Sequence, residues 1–127
     1  MNTKFFDKLK KVAKRAEETF TCDGESFTVR GMSGNMRDYY DADTQKRVKF
    51  KGRQPDMNTL NTVGTRALVV AMTLVDADTG ELAFDYENKE DLLAIGELDS
   101  NFLDKVFEIG TKLSGLSVVS EKDAEKN

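Results

Sequence analysis

The chain has 127 residues, a formal net charge of −4, one cysteine, one proline, and neither histidine nor tryptophan. This length predicts a single domain with a modest core. Without histidine the chain lacks the commonest general base and metal ligand, and its one cysteine, Cys22, has no partner for an internal disulfide. The negative charge argues against general affinity for nucleic acid, and no apolar run approaches the roughly 20 residues needed to cross a bilayer.

A basic amphipathic helix is predicted for residues 3–18. Lysines and Arg15 crowd one side of this segment, and apolar residues recur at helical spacing on the other, at Phe5, Phe6, Leu9, Val12, Ala13 and Ala16. Two interpretations are open. Either the apolar stripe packs on the body of its own domain, as in most surface helices, or it binds a partner groove or a membrane surface.

A β-hairpin is predicted for residues 19–30, because Asp23-Gly24 is the dipeptide that favours a type I′ turn. Ser33 then follows as the predicted N-cap of a helix. The apolar and aromatic residues of that helix are Met36, Tyr39 and Tyr40.

Arg30 and Arg37 are candidate binding residues, because they lie on either side of the predicted turn from strand to helix. One possibility is that both side chains converge on a single carboxylate. The other is that each forms a local ion pair, Arg37 with Asp41 at helical spacing.

The remainder, residues 33–117, is predicted to be mainly helical. Its strongest helix runs from Leu60 to Val75, with Val63 and Leu68 both on its apolar face. It is apolar on most sides in its second half, so we expect it at the centre of the core. Before this helix, the stretch at 41–51 suits a strand or a frayed helix end, and residues 52–55 form a break in the chain. After the helix, a turn is predicted at 76–80 and an extended piece at 82–84. Two further helices are predicted, one at 89–98 and a last one that is capped by Asp99 or Ser100 and followed by Gly115 as its C′ residue.

The predicted fold class is therefore mainly α with a small N-terminal β-hairpin (α+β), in a compact domain of four to five helices. This single domain spans residues 1–119, and a polar tail at 120–127 is expected to be disordered.

No group of residues in the sequence predicts catalysis or a cofactor. No serine or cysteine has a histidine to activate it. Asp76, Asp78 and Glu87 have the spacing of three calcium-loop ligands, but the glycine is one place early for that loop. A basic cluster resembles a phosphate site, yet no aromatic platform interleaves with it, which favours a solvated loop at Lys46, Arg47, Lys49, Lys51 and Arg53. We expect a protein that is not an enzyme and binds no metal.

Three segments of the chain resemble the tail assembly chaperones of long-tailed, lambda-like bacteriophages. The first is the hairpin leading into Val29-Arg30-Gly-Met-Ser33-Gly34, with Arg37-Asp38 after it. The second runs from Ala67 to Asp76 and is followed by Gly80 and Phe84, and the third runs from Phe107 to Ser117. The resemblance covers about residues 19 to 117. Members of that family often reach the hairpin after a short leader, so the resemblance assigns no role to residues 3–18.

The resemblance implies a non-enzymatic chaperone in its short form, made alongside a frameshifted long form. Such a chaperone binds and solubilises the tape measure protein and helps to recruit tail tube protein. It acts in the host bacterial cytoplasm and is absent from the mature virion. The alternative function is a small structural head- or tail-completion subunit that stays in the virion.

The residues themselves indicate where a partner would bind. The apolar stripe of the N-terminal helix and the two arginines at the turn are the candidate partner-binding residues, namely Phe5, Phe6, Leu9, Arg30 and Arg37. The exposed stripe also predicts weak homo-oligomer formation. We expect neither nucleic acid nor membrane as a partner.

Overall fold

The computed structural model describes residues 1–116, which form an α+β fold. The predicted tail at 120–127 and the predicted domain end at 119 lie outside the described residues. Within the described range the α-helices are α1 (Thr3–Val12), α2 (Gly34–Lys46), α3 (Thr65–Thr73), α4 (Lys89–Gly96) and α5 (Ser100–Leu113). The strands are β1 (Glu17–Cys22), β2 (Glu25–Arg30), β3 (Lys49–Lys51), β4 (Gln54–Asp56), β5 (Leu74–Asp76) and β6 (Glu81–Leu82).

The strands form two antiparallel sheets, one of four strands in the order β1-β2-β5-β6 and one of two strands, β3-β4. The prediction of a mainly helical fold with β structure only in an N-terminal hairpin is therefore wrong. It failed in part because Leu74 and Val75, the first two residues of β5, were assigned to the end of the core helix. In the fold this segment leaves α3 and pairs with the free edge of β2, with Val29 opposite Leu74.

The first hairpin confirms the predicted turn at Asp23-Gly24. Both residues have positive φ, 50° and 79°, as a type I′ turn requires. The pairing of β1 with β2 extends beyond the predicted hairpin, to Glu17 opposite Arg30.

α1 ends at Val12 and not at residue 18, although helical spacing continues to Ala16. Residues 17 and 18 instead pair with β2, and the Gly31 N–H donates to the Ala16 carbonyl at 2.9 Å. Sheet hydrogen bonds therefore replace the last helical turns.

α2 begins as predicted, with the Ser33 hydroxyl accepting the Met36 N–H at 3.2 Å. The ambiguous segment that follows divides into the end of α2 and strand β3. The predicted break becomes the β3–β4 turn, where Gly52 has a φ of 64°.

α3 lies at the centre of the core, because all residues from Ala67 to Thr73 are buried. It packs against α4 and α5. The helix begins at Thr65, later than predicted, so Val63 is 79% exposed instead of facing the core. The central location of the helix was predicted correctly, and its two ends were not.

The contact between α3 and α5 depends on a glycine. A Cβ at Gly110 would lie 2.8 Å from the Thr73 Oγ1 and 3.0 Å from its Cγ2. Thr73 is fully buried, and its hydroxyl donates to the Val69 carbonyl at 2.7 Å, so it has little freedom to move.

Gly110→Ala should therefore destabilise the domain, by about 1–3 kcal/mol as for other overpacked core sites. Gly96→Ala is the matched control, because a Cβ at the end of α4 would meet no atom within 4 Å. That variant should match the wild type or gain up to about 1 kcal/mol from helix propensity. Denaturant unfolding of both variants measures the difference, and equal stability would show that the α3–α5 spacing is looser than described.

Candidate partner-binding surface

α1 presents an apolar face that the rest of the described chain leaves uncovered. Its residues Phe5, Phe6, Leu9 and Val12, here called the α1 face, are 56%, 42%, 42% and 79% exposed. No residue of α1 is buried. The described structure therefore does not support the interpretation that this stripe packs on its own domain. Four large apolar side chains on one helix are more than the scattered exposure normal for a surface.

Interactions within the sequence of α1 stabilise the two ends of this helix. The Asn2 side chain accepts the Phe5 N–H at 3.0 Å, which caps the first turn. Lys10 and Lys11 lie in the last turn, where positive charge interacts favourably with the helix dipole. Lys10 also pairs with Asp7 at 3.2 Å and lies 5.5 Å from the centre of the Phe6 ring.

The cationic charge of the chain is concentrated around this helix. Residues 1–15 carry six lysine or arginine side chains and one acidic side chain, whereas the whole chain has a net charge of −4. The α1 face is thus flanked by positive charge, while the body of the chain is strongly acidic. A partner that covers the face meets a cationic border, which favours acidic neighbours.

Arg30 and Arg37 each have their own partners. The Arg30 Nε donates to the Glu17 Oε1 at 2.8 Å, and its Nη2 donates to the Gly80 carbonyl at 3.1 Å. The Arg37 Nε donates to the Asp41 Oδ1 at 3.2 Å, and its Nη1 donates to the Ser114 carbonyl at the end of α5. The structure therefore places the two arginines in separate local ion pairs and does not bring them onto one carboxylate.

Arg30 does not lie beside Arg37 but beside the guanidinium of Arg15. A shallow depression of about 490 Å³, largely open to solvent, lies between the end of α1 and the first hairpin and is here called the basic cleft; it is lined by Lys14, Arg15, Glu17 and Arg30. The cleft has three cations and one carboxylate, that of Glu17, which pairs with Arg30. The cleft was missed because residues 3–18 were assigned to one helix. The sequence did contain a signal for this pairing. If the strands on either side of the two-residue turn at Asp23-Gly24 are continued to residues 17 and 30, Glu17 comes to lie opposite Arg30.

The like charges in the basic cleft affect each other. The pKa of the Arg15 guanidinium is lowered, first by partial burial and then by the nearby Arg30 charge, while Glu17 acts in the opposite direction. Arginine remains protonated at neutral pH in spite of such a shift. The lowered pKa of Arg15 therefore reflects the partial loss of hydration of its guanidinium first and the nearby positive charge of Arg30 second.

A second cavity of about 490 Å³ lies between α2, α3 and α5. Its walls include Tyr40, Leu60 and Phe107, and the Arg66–Asp104 ion pair of 2.8 Å borders it. No candidate residue from the sequence lines it.

The basic cluster after α2 does not form a compact cationic site. Arg47 pairs with Asp43 at 2.6 Å and also donates to the Val63 carbonyl, which ties α2 to the segment before α3. Lys49 and Lys51 are exposed on β3. The sequence favoured a solvated loop here, and the two lysines are indeed exposed, but they lie on a strand of the two-stranded β3–β4 hairpin.

Within residues 1–116, none of the helices combines the length and the apolar character needed to cross a membrane. No family profile, curated protein or solved structure matches this chain.

Proposed function

We propose that this protein is a non-enzymatic tail assembly chaperone of a long-tailed bacteriophage. It binds and solubilises the tape measure protein and helps to recruit tail tube protein in the host cytoplasm. The observation that carries the proposal is the exposed α1 face, which presents Phe5, Phe6, Leu9 and Val12 on a helix that buries no residue. The ordered set of chaperone-like segments supplies the identity of the partner.

The chemistry of the α1 face suits a long helical partner. An amphipathic helix recognises another helix by laying its apolar side chains into the groove between the partner's own apolar residues. The tape measure protein, long and helical by the resemblance, offers such grooves repeatedly. Acidic residues beside its apolar stripe would meet the cationic border of α1.

Many copies of this protein would bind along one tape measure protein, here called the client, which explains how a small surface protects a long partner. One α1 face buries only a modest apolar area, so a single contact would be weak. Neighbouring copies on one client would raise each other's effective concentration and so strengthen binding without new contacts. The acidic body of each copy would keep the assembly soluble.

Co-expression with the tape measure protein of the same phage tests the proposal. The client should be soluble with this protein and insoluble without it. Anionic lipid vesicles provide the comparison, because a basic amphipathic helix also suits such a surface. Binding to vesicles without any effect on the client would contradict the proposal.

The presence or absence of this protein in the mature virion separates the chaperone from a structural head- or tail-completion subunit. In a structural subunit, the exposed α1 face would form a permanent interface. We expect mass spectrometry of purified virions to detect tape measure and tail tube proteins but not this chain. Stoichiometric recovery of this chain from virions would favour the structural subunit instead.

The isolated protein should also self-associate weakly, because the α1 faces of two copies can cover each other when no client is present. Sedimentation velocity over a wide concentration range should show a rising average mass. The variant carrying Phe5→Ser and Phe6→Ser should stay monomeric over the same range. A strictly monomeric wild type would count against an α1 face that pairs with apolar surfaces.

A further inference from the structure

The basic cleft holds more positive charge than its own residues balance. Among residues 1–116, neither Lys14 nor Arg15 forms an ion pair. The single carboxylate in the cleft, that of Glu17, is 2.8 Å from the Arg30 Nε. The polar contact that Arg15 makes within the described chain is from its Nη1 to the Met36 Sδ at 3.6 Å, which is weak.

We infer that the basic cleft binds a carboxylate of an acidic side chain on the same helical partner that covers the α1 face. The inference rests on the proposed function for the identity of that partner. The partner would then be bound in two ways, by apolar contacts with the α1 face and by ion pairs between its carboxylate and the cations of the basic cleft.

The position of the cleft supports a shared partner. Lys14 and Arg15 follow the last residue of α1, Val12, and three residues of chain span at most about 10 Å. The cleft residues therefore lie within a short distance of the end of the α1 face, and about two turns of a partner helix span such a distance.

The donors in the cleft suit a carboxylate. A guanidinium presents five N–H groups in a planar fork. Within the described residues, Arg15 uses only Nη1, in its contact with the Met36 sulfur, so the other N–H groups can donate to a ligand. A carboxylate can accept two parallel N–H bonds from such a fork. Arg30 is held in place by Glu17 and by the Gly80 carbonyl, so one wall of the cleft is formed before the ligand arrives.

The first experiment tests the cleft without any client. Acetate is titrated into the full-length protein, with chloride at equal ionic strength as the reference, while NMR records the side-chain Nε–H signals of Arg15 and Arg30. We expect saturable shifts with acetate that chloride does not produce and that Arg15→Gln abolishes. Equal shifts with both salts would overturn the inference. Phosphate binding more than about a hundredfold tighter than acetate would also overturn it, because the site would then select a phosphoryl group.

The second experiment tests the partner. Affinity for the tape measure protein is compared between Arg15→Gln and Lys11→Gln, which each remove one charge near α1. A bound carboxylate predicts a loss of about tenfold for Arg15→Gln and about twofold for Lys11→Gln. Arg15→Lys should restore only part of the affinity, since a lysine keeps the charge but not the fork. Equal losses for the two glutamine variants would overturn the inference in favour of diffuse attraction.

The two experiments separate this inference from the proposed function. A wild type that fails to hold the tape measure protein removes the proposed function and, with it, the named partner. The acetate titration then still decides whether the cleft is a carboxylate site. Arg15 lies at the surface and its guanidinium is only partly buried, so its variants should stay folded, and a thermal melt checks this.

Discussion

Leu68→Asp should unfold the domain. Leu68 is 2% exposed and packs in a cluster with Met36 and Met72. An unpaired carboxylate there loses its hydration and gains no partner, which costs several kcal/mol. A small domain has a total stability of about 5–15 kcal/mol, so the cost is comparable to the whole. Circular dichroism and thermal unfolding measure the effect.

Val63→Asp is the matched control. The sequence places Val63 and Leu68 on the same apolar face of one predicted helix, whereas in the structure Val63 precedes α3 and is 79% exposed. The same type of substitution should therefore change stability by less than about 0.5 kcal/mol. Lys49→Glu, on exposed β3, should be similarly neutral. A cooperative, near-wild-type melt for Leu68→Asp, or unfolding by Val63→Asp, would mean that α3 is placed wrongly.

The double substitution Phe5→Ser and Phe6→Ser should greatly weaken binding of the tape measure protein without unfolding the domain. Two aromatic side chains that lose their burial at an interface forfeit about 3–6 kcal/mol. This is a loss of at least about a hundredfold in affinity. Since no residue of α1 is buried, the free energy of unfolding should change by less than about 0.5 kcal/mol.

Phe50→Ser provides the control for this variant. Phe50 is an exposed phenylalanine as well, but it lies on β3. It should bind the client as well as the wild type does. Pull-down and solubility assays on folded proteins decide between the two sites. If the double variant holds the client normally, the client site is not the α1 face, and the hairpin with Arg30 and Arg37 becomes the next candidate.

Local patterns in the sequence predicted several elements well. Ser33 caps α2 and Asp99 caps α5, because each side chain accepts a backbone N–H from the first turn of its helix. Gly115 follows α5 with a φ of 72°, a conformation that glycine adopts without strain. These features depend on neighbouring residues only, so they can be read from short segments.

The exposure of the candidate partner-binding residues was predicted in part, and their binding of a partner stays a prediction. The spacing of Phe5, Phe6 and Leu9 indicated an apolar stripe, and the structure leaves that stripe exposed. The sequence left open whether Arg30 and Arg37 converge on one carboxylate or form separate ion pairs, and the structure shows separate ion pairs. Arg15 was not a candidate, because its approach to Arg30 depends on where α1 ends and β1 begins.

The sequence by itself determined the periodic helices, their caps and the first hairpin turn, since these follow from interactions between residues a few positions apart. Only the tertiary structure decided that Leu74–Asp76 is a strand, that residues 17 and 18 extend β1, and that nothing within residues 1–116 covers the α1 face. A short apolar run such as Leu74-Val75 suits a helix and a strand equally well. The unpaired backbone edge of β2, distant in sequence, supplies the hydrogen bonds that make the strand the stable choice.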